Sequence, residues 1–231
     1  MGAFLYGISL QWKMDIRSKT LLITCYIVPL LFFVLMGGIF TAVMPDAGKT
    51  LIQSMTVFGV SMGALIGLPP SLVEIYSGGI RKVYRVNGVP FCLGLVFIHL
   101  FMMSVILYAA APLAFGAEIP ENPGAYFAGL AVFILISLSA ASVIGLAVKD
   151  QTQTSMFSIL VFLPSILLSG IMFPGELLPA GFEAVGKLFP AFWGYRLMTE
   201  NAFRLEDVLP LLLIFAVAAF VCGILLRRAC D

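Results

Sequence analysis

Charge is scarce in this sequence. Lys, Arg, Asp and Glu make up 11% of its 231 residues, against about 25% in a soluble globular domain. Hydrophobic residues make up 61%, and the mean hydropathy is +1.08. A chain this short cannot hide so much apolar surface in one water-facing core, so lipid is its solvent. The net charge of +1 carries no nucleic-acid signal. The only histidine is His99. The four cysteines, Cys25, Cys92, Cys222 and Cys230, form no Cys-x-x-Cys or Cys/His cluster, which argues against a zinc or redox centre. They read as free thiols serving as small apolar fillers. The patterns G-x-x-x-x-G-K-[ST], G-x-S-x-G and H-E-x-x-H are absent. With them go a P-loop nucleotide site, a nucleophile elbow and a zinc-protease helix. No carboxylate pair lies within an apolar stretch, and no filter loop or charged ring is evident, against an intramembrane protease, pump or ion channel. Any uphill work is expected to draw its energy from another subunit.

What is present is a set of long apolar windows. Six stretches lack Asp, Glu, Lys and Arg over a spanning length: Thr20–Pro45, Thr50–Val73, Val86–Ala117, Asn122–Val148, Gln151–Gly175 and Val208–Leu226. A transmembrane helix needs about 20 such residues, and continuous apolarity excludes the alternating strands of a barrel. The fold expected is all-α and integral to the membrane. Its six spans run roughly Leu21–Phe40, Leu51–Leu68, Phe91–Phe115, Tyr126–Val148, Ser155–Phe173 and Val208–Leu226. An even count puts both termini on one side. If that side is the cytoplasm, it holds Lys13, Arg17, Lys19, Arg81, Lys82, Arg85, Lys149, Arg227 and Arg228. The other side keeps Lys49, Lys187, Arg196 and Arg204. The positive-inside rule then places both termini in the cytoplasm of a multi-pass cell-membrane protein. No cleavable signal peptide is expected, because the first apolar stretch is too long for an h-region.

The connecting segments carry further information. In residues 2–19, Leu5, Ile8, Trp12 and Ile16 recur at helical spacing, which predicts an amphipathic helix in the inner interface. Pro29 is expected to kink the first span. Gly59, Gly63 and Gly67 form a doubled G-x-x-x-G strip for close helix packing, and Pro69-Pro70 is expected to stop that helix. Residues 71–88 combine one acid, Glu74, with a basic amphipathic run. His99 reads as a neutral, hydrogen-bonded side chain, for it has no acidic partner in any span. Ser137, Ala141 and Gly145 make a second small-residue stripe. Residues 174–207 are too apolar to be fully solvated and too interrupted to span, so they read as short helices dipping into the outer leaflet, shielded by protein. Within them, Arg196–Asp207 reads as a solvated rim.

Two local patterns resemble the ABC-2-type permeases, the membrane subunits of ATP-binding-cassette exporters. Pro164, Leu168-Ser169-Gly170, Phe173-Pro174, Leu178-Pro179 and Leu188-Phe189-Pro190 are similar to that family's P…LSG-x-x-FP…LP…P signature. Glu74, Gly78 and Ile80-Arg81-Lys82-Val83 are similar to its E-x-x-x-G-T-L stretch, with Gly79 in place of the usual Thr and Asn87-Gly88-Val89-Pro90 in place of the usual Thr-Pro ending. The resemblance covers essentially the whole chain as one domain, 1–231. It implies that a second permease, identical or not, pairs with this one and that two ATPase subunits dock beneath, carrying the ATP and magnesium that this chain does not bind. It implies a coupling segment at 71–88, with Glu74, Gly78, Arg81, Lys82 and Arg85 as contacts. Gly59, Gly63 and Gly67 would pack helices. Ser169, Gly170, Pro174, Pro179 and Pro190 would belong to a re-entrant outer gate between spans 5 and 6. None of these is a catalytic residue. The nearly uncharged spans suit an amphipathic drug, peptide antibiotic or lipid, with polysaccharide export as an alternative. The competing classes are a non-transporting scaffold or sensor, in which Glu74 could be changed freely, and a lipid-modifying enzyme, which would need a polar cluster at one interface.

Overall fold

The computed structural model describes residues 22–43, 48–77, 88–148, 150–172, 179–200 and 205–230. The expected interfacial helix at 2–19 lies outside the described residues, as do Gly78, Arg81, Lys82, Arg85 and Pro174. Every regular element among the described residues is helical. In chain order they are α1 (Val28–Val43), α2 (Leu51–Met62), α3 (Leu68–Ser77), α4 (Gly88–Phe115), α5 (Pro123–Ala147), α6 (Gln151–Leu167), α7 (Ala180–Gly186), α8 (Pro190–Thr199) and α9 (Leu205–Cys230). Among the described residues, five helical stretches are long and apolar enough to cross a membrane: Ile23–Ala42, Leu51–Glu74, Cys92–Phe115, Pro123–Ala147 and Glu206–Leu226. The remaining expected span, Ser155–Phe173, takes the form of α6, which has 17 residues. At 1.5 Å per residue it rises about 25 Å, a little less than the hydrocarbon core. It ends early because Leu168–Gly170 form a turn in which Gly170 takes φ +83°. A side chain there would clash with its own backbone, so glycine terminates the helix.

Helix starts follow local chemistry. Asn122 caps α5, its Oδ1 accepting from the Ala125 amide at 3.1 Å, with Pro123 at the first helical position. Asp150 caps α6 by accepting from the Gln153 amide at 2.8 Å. Each such cap is worth about 1 kcal/mol.

Of the prolines, the Pro69-Pro70 pair departs from expectation. Pro29 follows a π-helical turn, Ile23–Ile27, in which the Val28 amide reaches back to the Ile23 carbonyl. The Pro69-Pro70 pair does not stop the second span. A π-helical turn, Gly63–Gly67, joins α2 to α3, and the chain remains helical to Ser77. A proline lacks an N–H and its ring crowds the carbonyl four residues back. A wider turn just ahead relieves that crowding, so the helix continues.

The Leu51–Glu74 helix is the axis of the bundle. Every residue from Leu51 to Ser61 is buried. It packs on α1, α4, α5, α6 and α8, around a core that includes Leu51, Ile52, Met55, Leu100, Met103, Tyr126 and Phe133. α1 and α9 instead present Leu31, Val34, Leu35, Leu212, Leu213 and Phe220 outward, as helices bathed in lipid do. Successive spans alternate in direction. One end of the bundle therefore carries Glu74 and the α5–α6 turn, and the other carries α7, α8 and the start of α9.

Candidate functional site

At the Glu74 end, α3 lies against α5 and α6. A Cβ placed on Gly145 of α5 would sit 3.0 Å from Leu72 Cβ and 3.1 Å from Pro69 Cα. Leu72, Val73 and both prolines are buried, while Glu74 is exposed. One face of α3 is thus fixed on the bundle, and the other offers a carboxylate away from it. A rigid helix ending in an exposed acid is suited to receive a cationic partner and to transmit displacement into α2.

Gly59, Gly63 and Gly67 line the side of the second span that meets the first and third. A Cβ on Gly59 would lie 2.5 Å from Met103 Cε and 3.3 Å from Pro29 Cβ. One on Gly63 would overlap Leu100 and lie 3.2 Å from Cys25 Sγ. One on Gly67 would lie 2.9 Å from Thr24 Oγ1. Glycine lets three backbones converge here. The Tyr26 hydroxyl and His99 Nδ1 share a hydrogen bond at 2.9 Å across the same junction, so the histidine ties the first span to the third.

Midway along the bundle, an aromatic ladder crosses from α1 through α2 to α6. Phe32 stacks on Phe58 at 3.7 Å, and Phe58 meets Phe162 edge-on at 5.8 Å. Nearby, Thr56 Oγ1 and the Tyr126 hydroxyl, both fully buried, share a hydrogen bond at 2.8 Å. Losing one partner strands the other in an apolar core. Tyr126→Phe or Thr56→Val is therefore expected to cost about 1 kcal/mol, and the double variant little more than either single one. Thermal unfolding in nanodiscs measures the cycle.

At the opposite end, the described residues 179–200 of the expected outer segment form two short helices, α7 and α8. Ser169 is buried, and its hydroxyl donates to the Ile166 carbonyl at 2.8 Å. Gly170 turns the chain beside Tyr195, whose ring would lie 3.9 Å from a Cβ added at Gly170. Pro179 precedes α7, and buried Pro190 opens α8. Trp193 Nε1 donates to the Lys187 carbonyl at 2.7 Å, closing the turn between the two helices. α8 packs along α5, where a Cβ added at Gly194 would overlap the Phe133 ring and one at Gly129 would lie 3.4 Å from Leu197 Cγ. Within the expected solvated rim Arg196–Asp207, one acid is buried. Asp207 is 1% exposed and faces Arg196, with Nε to Oδ1 at 3.4 Å. The same guanidinium donates to Glu200 at 3.1 Å and lies 5.8 Å from the Trp193 ring. The sequence shows Arg196 and Glu200 at the i, i+4 spacing of a helix face. It gives no local sign that Asp207, beyond a helix break, folds back onto them.

Among the described residues, Glu74 lies at one end and Ser169, Gly170, Pro179 and Pro190 at the other, joined by the glycine-lined second span. No group of His, Cys, Asp and Glu among the described residues is arranged to hold a metal.

The ABC-2 family transporter protein model matches residues 92–227, more than half of the chain. A search of curated proteins finds no match. The match takes in α5 to α8 and most of α4 and α9. This chain belongs to the ABC-2 transporter family.

Proposed function

We propose that this chain is the membrane-spanning permease subunit of an ABC exporter. In this reading it pairs with a second permease and moves an amphipathic drug, peptide antibiotic or lipid outward. ATP and magnesium act on separate ATPase subunits docked at the Glu74 end, which faces the cytoplasm along with both termini. The observation that carries the reading is the unbroken helix from Leu51 to Glu74, buried along its length and ending in an exposed carboxylate. A push delivered at residues 71–88 through Glu74, Gly78, Arg81, Lys82 and Arg85 would travel along a rigid element to the centre of the bundle and to α8, which packs on α2. Apolar spans that retain buried hydroxyls at Ser54, Ser61, Ser158 and Ser165 suit an amphipathic cargo better than a small ion.

The test is co-expression with the ATPase encoded beside the gene, purification through a tag on this chain, and ATP hydrolysis in nanodiscs. A stoichiometric complex is expected. Glu74→Ala combined with Arg81→Ala is expected to lower its hydrolysis about tenfold, as loss of charge-assisted contacts at a docking surface does. If neither this ATPase nor any other ATPase of the cell binds, a scaffold or sensor role replaces the exporter reading.

A further inference from the structure

The Arg196–Asp207 contact joins the short helix α8 to the first turn of α9. The two helices also share an apolar patch of Ile136, Leu197 and Leu211, flanked by Trp193 and Val208. Above that patch the charges are unevenly matched. One guanidinium serves two carboxylates. Its Nη2 is committed to Glu200 by a hydrogen bond, while its Nε lies 3.4 Å from Asp207 without forming one. The Arg196 and Glu200 side chains are 39% and 31% exposed, whereas that of Asp207 is 1% exposed. Neither Asp207 oxygen accepts a hydrogen bond from a described residue.

We propose that Arg196 and Asp207 form a releasable latch that holds α8 against α9, and so are positioning residues for the outer gate. The gate itself rests on the exporter reading above. The asymmetry is what makes the latch releasable. When α8 moves, Arg196 retains Glu200, four residues along its own helix, so the guanidinium is never bare. Among the described residues, Asp207 alone then loses its counter-charge, and a lone carboxylate in an apolar setting is strongly disfavoured. The segment therefore stays closed until water or a polar substrate group reaches Asp207. Opening and solvation of the exit become one event.

The experiment is hydrogen–deuterium exchange on the full chain in nanodiscs, with the amides of 191–199 compared with those of α5. Asp207→Asn keeps the shape but removes the charge that holds the latch. It is expected to speed exchange in 191–199 about tenfold while leaving α5 unchanged. Arg196→Gln is expected to speed exchange by at least as much in the wild-type background and to have no further effect in Asp207→Asn. Unchanged or slower exchange in Asp207→Asn overturns the proposal. So does acceleration shared equally by α5, which marks general destabilisation, and so do additive effects of the two substitutions. No ATPase is needed, so this result stands apart from the co-purification that decides the exporter reading.

Discussion

Gly63→Leu is expected to destabilise the folded chain by about 3 kcal/mol or more, whereas Gly38→Leu changes stability by no more than about 0.5 kcal/mol. Both positions are glycines in spanning helices, so helix propensity cannot separate them. Space does. At Gly38 an added Cβ has nothing within 4 Å. At Gly63 the first added carbon overlaps Leu100, itself fully buried, and sits 3.2 Å from the buried Cys25 sulfur. Leu100 lies on a face of α4 where Val96, Met103 and Leu107 are also fully buried, so a shift there disturbs the core. A leucine therefore pushes the first and third spans off the second and breaks contact along the whole glycine strip. Thermal unfolding followed by gel-filtration peak height in detergent distinguishes the two variants. If Gly63→Leu melts together with Gly38→Leu, the three helices do not converge at Gly63.

Several parts of this architecture were legible in the sequence because lipid leaves few alternatives. Uncharged windows such as Val86–Ala117 can only be spans, and they reappear as α4 and its neighbours. The doubled G-x-x-x-G was legible as a place of close approach, though not which helices approach it. Two features were misjudged for a common reason. Pro69-Pro70 was read as a stop from local sterics, but the π turn at Gly63–Gly67 accommodates the prolines, and such a turn has no reliable local signature. Asp207 was read as solvated because it lies among polar residues. Its burial comes from α8 folding back along α5 and α9, a tertiary fact set by Gly194, Gly129 and the Trp193–Lys187 hydrogen bond. The 17-residue α6 lies between these cases. Its charge-free window was long enough for a span, but Gly170 ends the helix within it.

The consequence for function lies in how the two ends communicate. α3 at the Glu74 end is seated on α5 through Gly145, and α8 at the other end is seated on the same helix through Gly129 and Gly194. α2 provides a second route, because it continues into α3 and also touches α8. In the proposed exporter, a movement at Glu74 would reach the proposed Arg196–Asp207 latch through these two elements, and neither route requires a titratable or catalytic group. This is consistent with spans that carry almost no charge.

The second large effect is expected from a single methyl group. Gly194→Ala should lower stability by about 2–3 kcal/mol and displace α8, while Gly181→Ala, in α7, should be nearly silent. The Gly181 site is open, with nothing within 4 Å of an added Cβ. The Gly194 site is closed by the Phe133 ring, which an added Cβ would overlap and which is itself fully buried. A ring cannot deflect as a flexible chain end does, and Ile136 and Leu130 on the same helix are buried beside it. The strain has to be relieved by α8 lifting from α5, and α8 carries Arg196 with it. Gly194→Ala is therefore expected to speed exchange in 191–199 as the latch variants do, and to lower the unfolding temperature as well. Replacing the ring supplies the decisive control. Phe133→Leu opens the volume that the methyl group needs, so Gly194→Ala should cost markedly less in that background, a coupling of about 1–2 kcal/mol between residues in direct contact. Strict additivity of the two substitutions would mean that α8 does not rest on Phe133, and the seating of the outer segment would have to be redrawn.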